Sequence, residues 1–213
     1  MAEVYLRRLS RWQAEQQRSA VADVYVTAYR GAAGAEYRDR QGFLSRFEQH
    51  VQRPGFDMVV ADAGGLVGCA YGFRVDRTGE WWSGFGGELP TDIEELTASG
   101  RTFLLAELMV LPAHRRLGIA TLLGKRLLSR LDADLVVAAV ERPDDSGGDD
   151  SGGDDGDSGP RSAAEETLRA WGWSRLGVLD PRAVSDVGSG SGSRAGTGRE
   201  AAAREVWIRR PLQ

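Results

Sequence analysis

The stretch from residue 102 to residue 120 constrains the fold of this chain more than any other part of its sequence. Residues 102–111 form a nearly continuous apolar run, which is typical of a central strand that is buried on both faces. Pro112 ends the run, and an amphipathic helix is predicted over Leu117–Leu131 because apolar residues recur there at helical spacing. The sequence therefore predicts a buried strand that passes through a short turn directly into a helix.

The segments on either side alternate between strand-like and helical patterns. The predicted helices are 12–30, 41–52 and 162–171, and the predicted strands are 3–9, 57–62, 66–75, 135–140, 173–179 and 205–210. This order predicts a single α/β (α+β) domain over residues 1–213, built around one sheet.

Two segments of low complexity interrupt this pattern. Residues 144–160 are almost entirely Asp, Ser and Gly, and residues 185–198 are dominated by Gly, Ser and other small residues. Neither segment can bury enough apolar surface to offset the entropy cost of ordering it. We expect a disordered acidic loop and a flexible Gly/Ser loop. Neither is expected to divide the chain into domains, because the stretch of chain after each loop is too short to fold alone.

The charge of the chain narrows the class of ligand. The formal net charge is −4, but residues 144–160 contain seven Asp and no basic residue, so the remainder carries +3. A mildly basic body suits a small polyanionic ligand. It is too weakly charged to indicate a nucleic-acid partner.

Other features exclude several classes of protein. No apolar run reaches the roughly 18 residues that a membrane span needs. The N-terminus has an early Glu3 and no apolar stretch that could serve as a secretory signal. Cys69 is the only cysteine, which excludes an internal disulfide and disfavours a Cys-based zinc site. We therefore expect a soluble cytoplasmic protein without a metal ion, in which Cys69 is a small buried hydrophobe.

The start of the helix after Pro112 has the chemistry of an anion site. The first turn of a helix leaves backbone N–H groups unpaired, and the helix dipole adds positive potential. Gly118 would let the backbone approach a diphosphate without a Cβ in the way. Arg115 and Arg116 add positive charge beside it.

The residues at this turn also fit the pattern of a known family. Arg115, Gly118 and Ala120 match Arg or Gln, two residues, Gly, one residue, then Gly or Ala, after an apolar strand and at the opening of a helix. A later helix ends in Gly172-Trp173. In these features the chain resembles the GNAT superfamily of N-acetyltransferases. The order of its elements matches that family over nearly the full length, apart from the two low-complexity loops.

That resemblance implies a single-domain acyl-CoA N-acyltransferase (GNAT) fold, with a central mixed sheet of six to seven strands and helices on both faces. Strands four (102–111) and five (135–140) would splay apart to form a gap. The implied co-substrate is acetyl-CoA, whose pantetheine amides would bond the backbone of Leu108, Met109 and Val110. The diphosphate would lie on the N–H groups of Arg115, Arg116, Leu117, Gly118, Ile119, Ala120 and Thr121.

Glu107 is the candidate catalytic base. It lies within the apolar strand 102–111, where burial would raise the pKa of its carboxyl toward the working pH. Its position is similar to that of the strand-four acid with which many GNAT members take a proton from the amine, directly or through water. The alternatives are an ion pair with a nearby Arg and a role in substrate binding alone.

The general acid is left unassigned. Many members of the family place a Tyr four residues before the Gly that ends the last helix, and that Tyr protonates the leaving thiolate. Counting back from Gly172 gives Leu168, which cannot donate a proton. Tyr71, water, or no acid at all remain open, and so does a catalytically inactive acyl-CoA sensor of the same fold.

The sequence does not identify the acceptor beyond a small-molecule amine or a peptide. Trp81 and Trp82 are candidate walls of its pocket, together with Tyr29 and Tyr71, because the resemblance places the acceptor near these segments. The alternative for the two Trp residues is aromatic packing over the sheet. His50 is expected at the surface. Dimers are common in the family, so a homodimer stays open.

Other phosphate-binding motifs fit this helix less well. Gly118 through Arg126 loosely resembles a P-loop, but five residues separate its two glycines, and Arg126 stands where Ser or Thr would hold magnesium. A dinucleotide-binding fold is disfavoured because no Gly-x-Gly-x-x-Gly follows the first strand.

Overall fold

The computed structural model describes residues 3–29, 36–141, 163–180 and 203–210 of the chain. The chain forms two compact units, which are Met1–Val75 with Phe103–Ala133 and Asp76–Thr102 with Asp134–Gln213. The predicted acidic loop 144–160 and the predicted Gly/Ser loop 185–198 lie outside the described residues. The prediction of a single domain stays a prediction.

The described residues form seven strands and six helices. In chain order the strands are β1 (Tyr5–Leu9), β2 (Asp57–Asp62), β3 (Leu66–Arg74), β4 (Thr102–Val110), β5 (Leu135–Glu141), β6 (Ser174–Leu179) and β7 (Arg204–Arg209). The helices are α1 (Arg11–Gln16), α2 (Arg18–Ala28), α3 (Glu36–Gln52), α4 (Thr91–Ala98), α5 (Ile119–Leu128) and α6 (Ala163–Ala170). Short 3₁₀ turns lie at Glu80–Trp82 and Pro112–His114.

The first unit contains β1 to β4, each strand antiparallel to the next. A tight turn joins β2 to β3, where the Asp62 carboxylate accepts hydrogen bonds from the N–H groups of Gly64 and Gly65. Gly64 has a φ of +83°, a conformation that glycine adopts without steric cost. The turn chemistry thus fixes the register of the two strands.

Helices cover both faces of the strands in the first unit. One face packs against α1, α2 and α3, and its buried core includes Met58, Val60, Cys69 and Met109. The other face packs against α5, where a Cβ built on Gly68 would lie 3.3 Å from the Leu123 side chain. The period-2 alternation of β2 and β3 therefore supplies apolar residues to two separate layers.

A β-bulge interrupts the pairing of β3 with β4. Tyr71 pairs with Glu107, but the next residue, Gly72, pairs with Leu105, so Ala106 is an extra residue in β4. A Cβ on Gly72 would lie 2.1 Å from the carbonyl oxygen of Leu104, so only glycine fits opposite the bulge. Bulges bend a strand and redirect its side chains, and this one lies immediately before Glu107.

The second unit has β7 between β5 and β6, and both pairings are antiparallel. Its last helix, α6, is terminated by Gly172, which lies two residues beyond Ala170 and has a φ of +77°. The N–H of Trp173 donates to the Leu168 carbonyl and the N–H of Gly172 donates to the Arg169 carbonyl. This is the Schellman pattern of a glycine-terminated helix, so the predicted helix end at Gly172-Trp173 is confirmed.

The predicted elements agree with the observed ones at most positions. The number of strands and the strand 57–62 are confirmed, and the helices on both faces are confirmed in the first unit. The predicted helix 12–30 is instead two helices, because Gln17 leaves helical geometry with φ −95° and ψ 6°. Helix α3 begins at Glu36, earlier than predicted, and α4 was not predicted at all.

The predicted splay of strands four and five stays a prediction.

None of the described helices is both long enough and apolar enough to cross a membrane.

Candidate functional site

Glu107 lies in β4 directly after the bulge, on the face covered by α2 and α3. Its side chain is 16% exposed. The hydroxyl of Tyr29 donates a hydrogen bond to one carboxylate oxygen at 3.3 Å, and Nη2 of Arg46 lies 4.0 Å from the other oxygen. The candidate base is thus held between a phenol and a guanidinium group, both of which favour its ionised form.

Tyr29 is positioned by the end of α2. Its backbone N–H donates to the Tyr25 carbonyl and closes the last turn of the helix. Tyr29 as a whole is 54% exposed, while its hydroxyl donates to Glu107. Burial around the hydroxyl, followed by the Glu107 carboxylate, raises the pKa of Tyr29 well above its ordinary value. Tyr29 therefore stays protonated and acts as a hydrogen-bond donor to Glu107.

Tyr71 lies opposite Glu107 on β3 and is fully buried. Its hydroxyl lies 3.3 Å from Nδ1 of His50, and the donor depends on the His50 tautomer. Burial, followed by the Glu107 carboxylate, raises the pKa of Tyr71 well above its ordinary value. The hydroxyl accordingly keeps its proton at neutral pH.

His50 lies at the last turn of α3, and the expectation that it lies at the surface was wrong. Its half-buried ring packs against Tyr71 and Phe73. Burial, followed by the positive charges of Arg46 and Arg53, lowers the pKa of His50 to about 4. His50 is therefore neutral at pH 7.

Arg46 is the site residue that sequence reasoning missed. Its guanidinium donates to the Tyr25 hydroxyl at 3.2 Å and lies over the Tyr25 ring, 5.6 Å from the centroid. The signal in the sequence is the spacing of Arg46 and His50 four residues apart, beside the apolar residues Phe43 and Phe47 on the same helix. That spacing places both side chains at the edge of the buried face of α3.

The start of α5 has the open backbone that an anion site needs. Gly118 is the N-cap residue with a φ of +75°, and no side chain among the described residues caps the helix. A Cβ built on Gly118 would meet no described atom within 4 Å. Arg116 also has a positive φ, +64°. The chain therefore turns sharply twice before the helix begins, and space lies beside its first turn.

The two arginines before Gly118 differ in their environments. The Arg115 guanidinium donates to the carbonyls of Val110 at 3.2 Å and Ala28 at 2.6 Å, so it ties the end of α2 to the end of β4. Arg116 and Leu117 are exposed. Arg115 therefore holds the turn after β4 in place. Its predicted contact with the diphosphate would come in addition.

The remaining residues predicted to bind the coenzyme lie on β4 and on the first turn of α5. Leu108, Met109 and Val110 pair with Ala70, Cys69 and Gly68 of β3. The side chains of Met109 and Val110 are buried, as is that of Ile119, while Leu108, Ala120 and Thr121 are half-buried. Contacts of these residues with a coenzyme stay predictions. The expectation that Cys69 is a buried hydrophobe is confirmed.

Trp81 and Trp82 belong to the second unit. Trp82 is buried, its indole N–H donates to Thr97 Oγ1 at 3.1 Å, and its ring meets those of Trp81 and Phe85 edge to face. These contacts favour the packing interpretation of Trp82. Trp81 is half-buried, and its role in acceptor binding stays a prediction.

Leu168, which stands where the resemblance implied a proton-donating Tyr in many relatives, is buried on α6. No group of three or more His, Cys, Asp or Glu side chains in the described ranges is placed to hold a metal ion.

Comparison with known proteins identifies the fold. No protein-family model and no curated sequence matches the chain. Similar solved structures include a candidate GNAT-family acetyltransferase from Desulfovibrio desulfuricans, with 13% identity, a TM-score of 0.56 and 98% of this chain and 99% of that chain covered. A diaminobutyrate acetyltransferase from Paenibacillus lautus, in complex with L-2,4-diaminobutyric acid and coenzyme A, has 12% identity, a TM-score of 0.52 and coverage of 98% and 95%.

A third similar structure is a GNAT-like decarboxylase in complex with isobutyryl-CoA, with 17% identity, a TM-score of 0.57 and coverage of 97% and 98%. At these identities the likeness establishes the fold alone. The chain has the GNAT fold, as its sequence predicted.

Proposed function

We propose that this protein is an acyl-CoA-dependent N-acyltransferase that transfers the acyl group, with acetyl-CoA as the donor, directly to an amine. One observation carries the proposal. The strand that holds Glu107 leads within about ten residues to the start of α5 at Gly118, where no described side chain caps the helix. A candidate proton acceptor and a helix start suited to an anion therefore stand on one continuous strand–turn–helix element.

The backbone at the start of α5 suits the diphosphate of a coenzyme. The N–H groups of the first turn point out of the helix along its dipole, and such a terminus binds anions such as a phosphate group. The missing Cβ at Gly118 would let the phosphate oxygens approach these groups. The exposed Arg116 would add a mobile positive charge, and Arg115 would hold the turn in place through its two carbonyl contacts.

Glu107 is the group that would accept the proton of the attacking amine. An amine arrives as an ammonium ion and must lose a proton before its nitrogen can attack the thioester. The Tyr29 hydroxyl would hold one carboxylate oxygen of Glu107 in place and leave the carboxylate ionised. We assign no residue as the donor of a proton to the leaving thiolate. Leu168 has no group that could donate one, and the Tyr71 hydroxyl is engaged with His50.

A coenzyme-binding protein without transferase activity is the alternative. The fold itself permits other chemistry, since one neighbour with the same fold is a GNAT-like decarboxylase. Leu168 keeps this alternative open because it removes the usual proton donor.

Turnover with acetyl-CoA separates the two functions. We expect release of free thiol from acetyl-CoA when the protein is given a panel of amines, amino acids and short peptides, and no release when the acceptor is omitted. Tight binding of acetyl-CoA with no thiol release on any acceptor would favour the sensor. Thiol release that is independent of acceptor would indicate hydrolysis instead.

A further inference from the structure

We propose that the acceptor carries its amine and a carboxylate on the same carbon, as a free α-amino acid does. Arg46 binds this carboxylate, and Glu107 binds the ammonium group. This inference rests on the proposed function, because it assigns the acceptor class of the same site. It depends on three features of the charged pair Arg46 and Glu107: the distance between the two groups, their exposure and their orientation.

The two charges face each other without a direct hydrogen bond. Nη2 of Arg46 lies 4.0 Å from the nearer oxygen of Glu107. That separation is longer than an N–H···O hydrogen bond, which spans roughly 2.7–3.2 Å. The pair is therefore close enough for strong attraction, but its donors and acceptors are not consumed by each other.

Arg46 is held in place yet partly open to solvent. Its guanidinium lies over the Tyr25 ring and donates to the Tyr25 hydroxyl, so its plane is oriented. Its side chain is 49% exposed. A guanidinium carries five N–H donors in a rigid fork, which binds a carboxylate with two parallel hydrogen bonds. An oriented and accessible guanidinium is a preformed carboxylate site.

The positive charge of Arg46 selects against a simple amine. An ammonium ion bound to Glu107 would lie within about 6 Å of the guanidinium, where two positive charges near a protein surface repel by enough to weaken binding roughly a hundredfold. A second ammonium group, as in a polyamine, would add to that repulsion. A carboxylate on the acceptor reverses the sign, because it pairs with Arg46.

An α-amino acid has the right dimensions for the two partners. Standard bond lengths and angles place its nitrogen about 2.5 Å from its carboxyl carbon. The ammonium group and the carboxylate can therefore engage Glu107 and Arg46 at the same time across the 4.0 Å between them. An acceptor with its amine several carbons away from its carboxylate would have to fold back to engage both partners, at a cost in conformational entropy.

The neighbouring histidine does not supply a competing positive charge. His50 stands four residues after Arg46 on α3, and its pKa of about 4 leaves it neutral at pH 7. The carboxylate of a bound amino acid would then interact chiefly with the guanidinium of Arg46.

The test compares matched acceptors and matched variants. Thiol release from saturating acetyl-CoA is measured with each of the common amino acids, with the corresponding C-terminal amides, with the corresponding decarboxylated amines and with spermidine. We expect kcat/KM for at least one free acid to exceed that for its amide and its amine by about tenfold or more. Arg46→Gln should remove this preference by raising KM for the acid, while kcat/KM for the amine rises.

Arg53→Gln is the control variant, because Arg53 is an exposed arginine just after the end of the same helix and its loss removes the same charge. It should keep the preference for the free acid. Turnover without any preference for acids, or an equal preference in Arg46→Gln, would overturn the inference and leave the proposed transferase function intact.

If no acceptor supports turnover, binding of the free acids and of their amides still tests the inference. The shift in melting temperature is then measured for each free acid and its amide in the presence of coenzyme A. A shift with acids alone that is lost in Arg46→Gln would support the acceptor class while the transferase function fails. The absence of any acid-specific shift would overturn the inference about the acceptor class, while the transferase function is decided separately by thiol release.

Discussion

Replacing Glu107 with Gln is expected to lower kcat for acyl transfer by about two to four orders of magnitude, the usual contribution of a positioned general base. Gln has nearly the same shape and can still accept the hydrogen bond of Tyr29, so the change removes the proton acceptor with little change in packing. Binding of acetyl-CoA should be nearly unchanged, because the coenzyme site proposed at α5 does not depend on this carboxylate.

The measurement is the pair of kcat and the acetyl-CoA dissociation constant for the wild type and the variant. Glu48→Gln is the matched control, since Glu48 is exposed on α3 and its replacement removes the same charge at a distance from β4. A kcat for Glu107→Gln within about threefold of the wild type would eliminate Glu107 as the base. Equal losses in kcat and in coenzyme affinity would indicate a role in assembling the site instead.

Replacing Gly118 with Asp is expected to weaken acetyl-CoA binding by a hundredfold or more. The new carboxylate would stand in the open space beside the first turn of α5, where we place the diphosphate. Two negative charges about 5 Å apart near a protein surface repel by about 3 kcal/mol. We expect the stabilisation of the protein by millimolar acetyl-CoA to disappear, as measured by the melting temperature.

Two further variants separate charge from backbone strain. Gly118→Asn has a side chain of the same shape without the charge, and Asn tolerates positive φ better than most residues, so it should weaken binding much less than Asp. Gly64→Asp places the same residue at a φ of +83° in the turn between β2 and β3, where a Cβ also meets no described atom within 4 Å. It should lower stability to a similar degree without affecting the response to acetyl-CoA. Unchanged binding in Gly118→Asp would show that the coenzyme lies elsewhere.

Much of the fold could be predicted from periodicity and turn residues. Strand β2 was predicted with its observed bounds because apolar residues fill it and a glycine turn comes directly after it. The break at Gln17 was not visible, because Ala14 and Val21 are seven residues apart and would share a face of one continuous helix. Helix α4 was missed because its buried residues are only Ile93 and Thr97, too few to form an apolar stripe.

The site was predictable only where it is local in sequence. Gly118 could be identified because the strand, the turn and the helix that define it are contiguous. The neighbours of Glu107 could not, because Tyr29 is 78 residues away and Arg46 lies on a different helix. The bulge at Ala106 could not be predicted either. It arises because β4 has one more residue than the part of β3 with which it pairs, and neither strand shows this by itself.

We propose that backbone amides at the start of α5 bind the diphosphate of an acyl coenzyme A. Hydrogen exchange of individual amides, with and without saturating acetyl-CoA, is the sharpest test of this contact, because these amides make the proposed bonds themselves. We predict that exchange at residues 117–121 slows at least tenfold with acetyl-CoA, while exchange in the first turn of α4 does not change. Unchanged exchange at residues 117–121 in protein that has bound acetyl-CoA would contradict the claim.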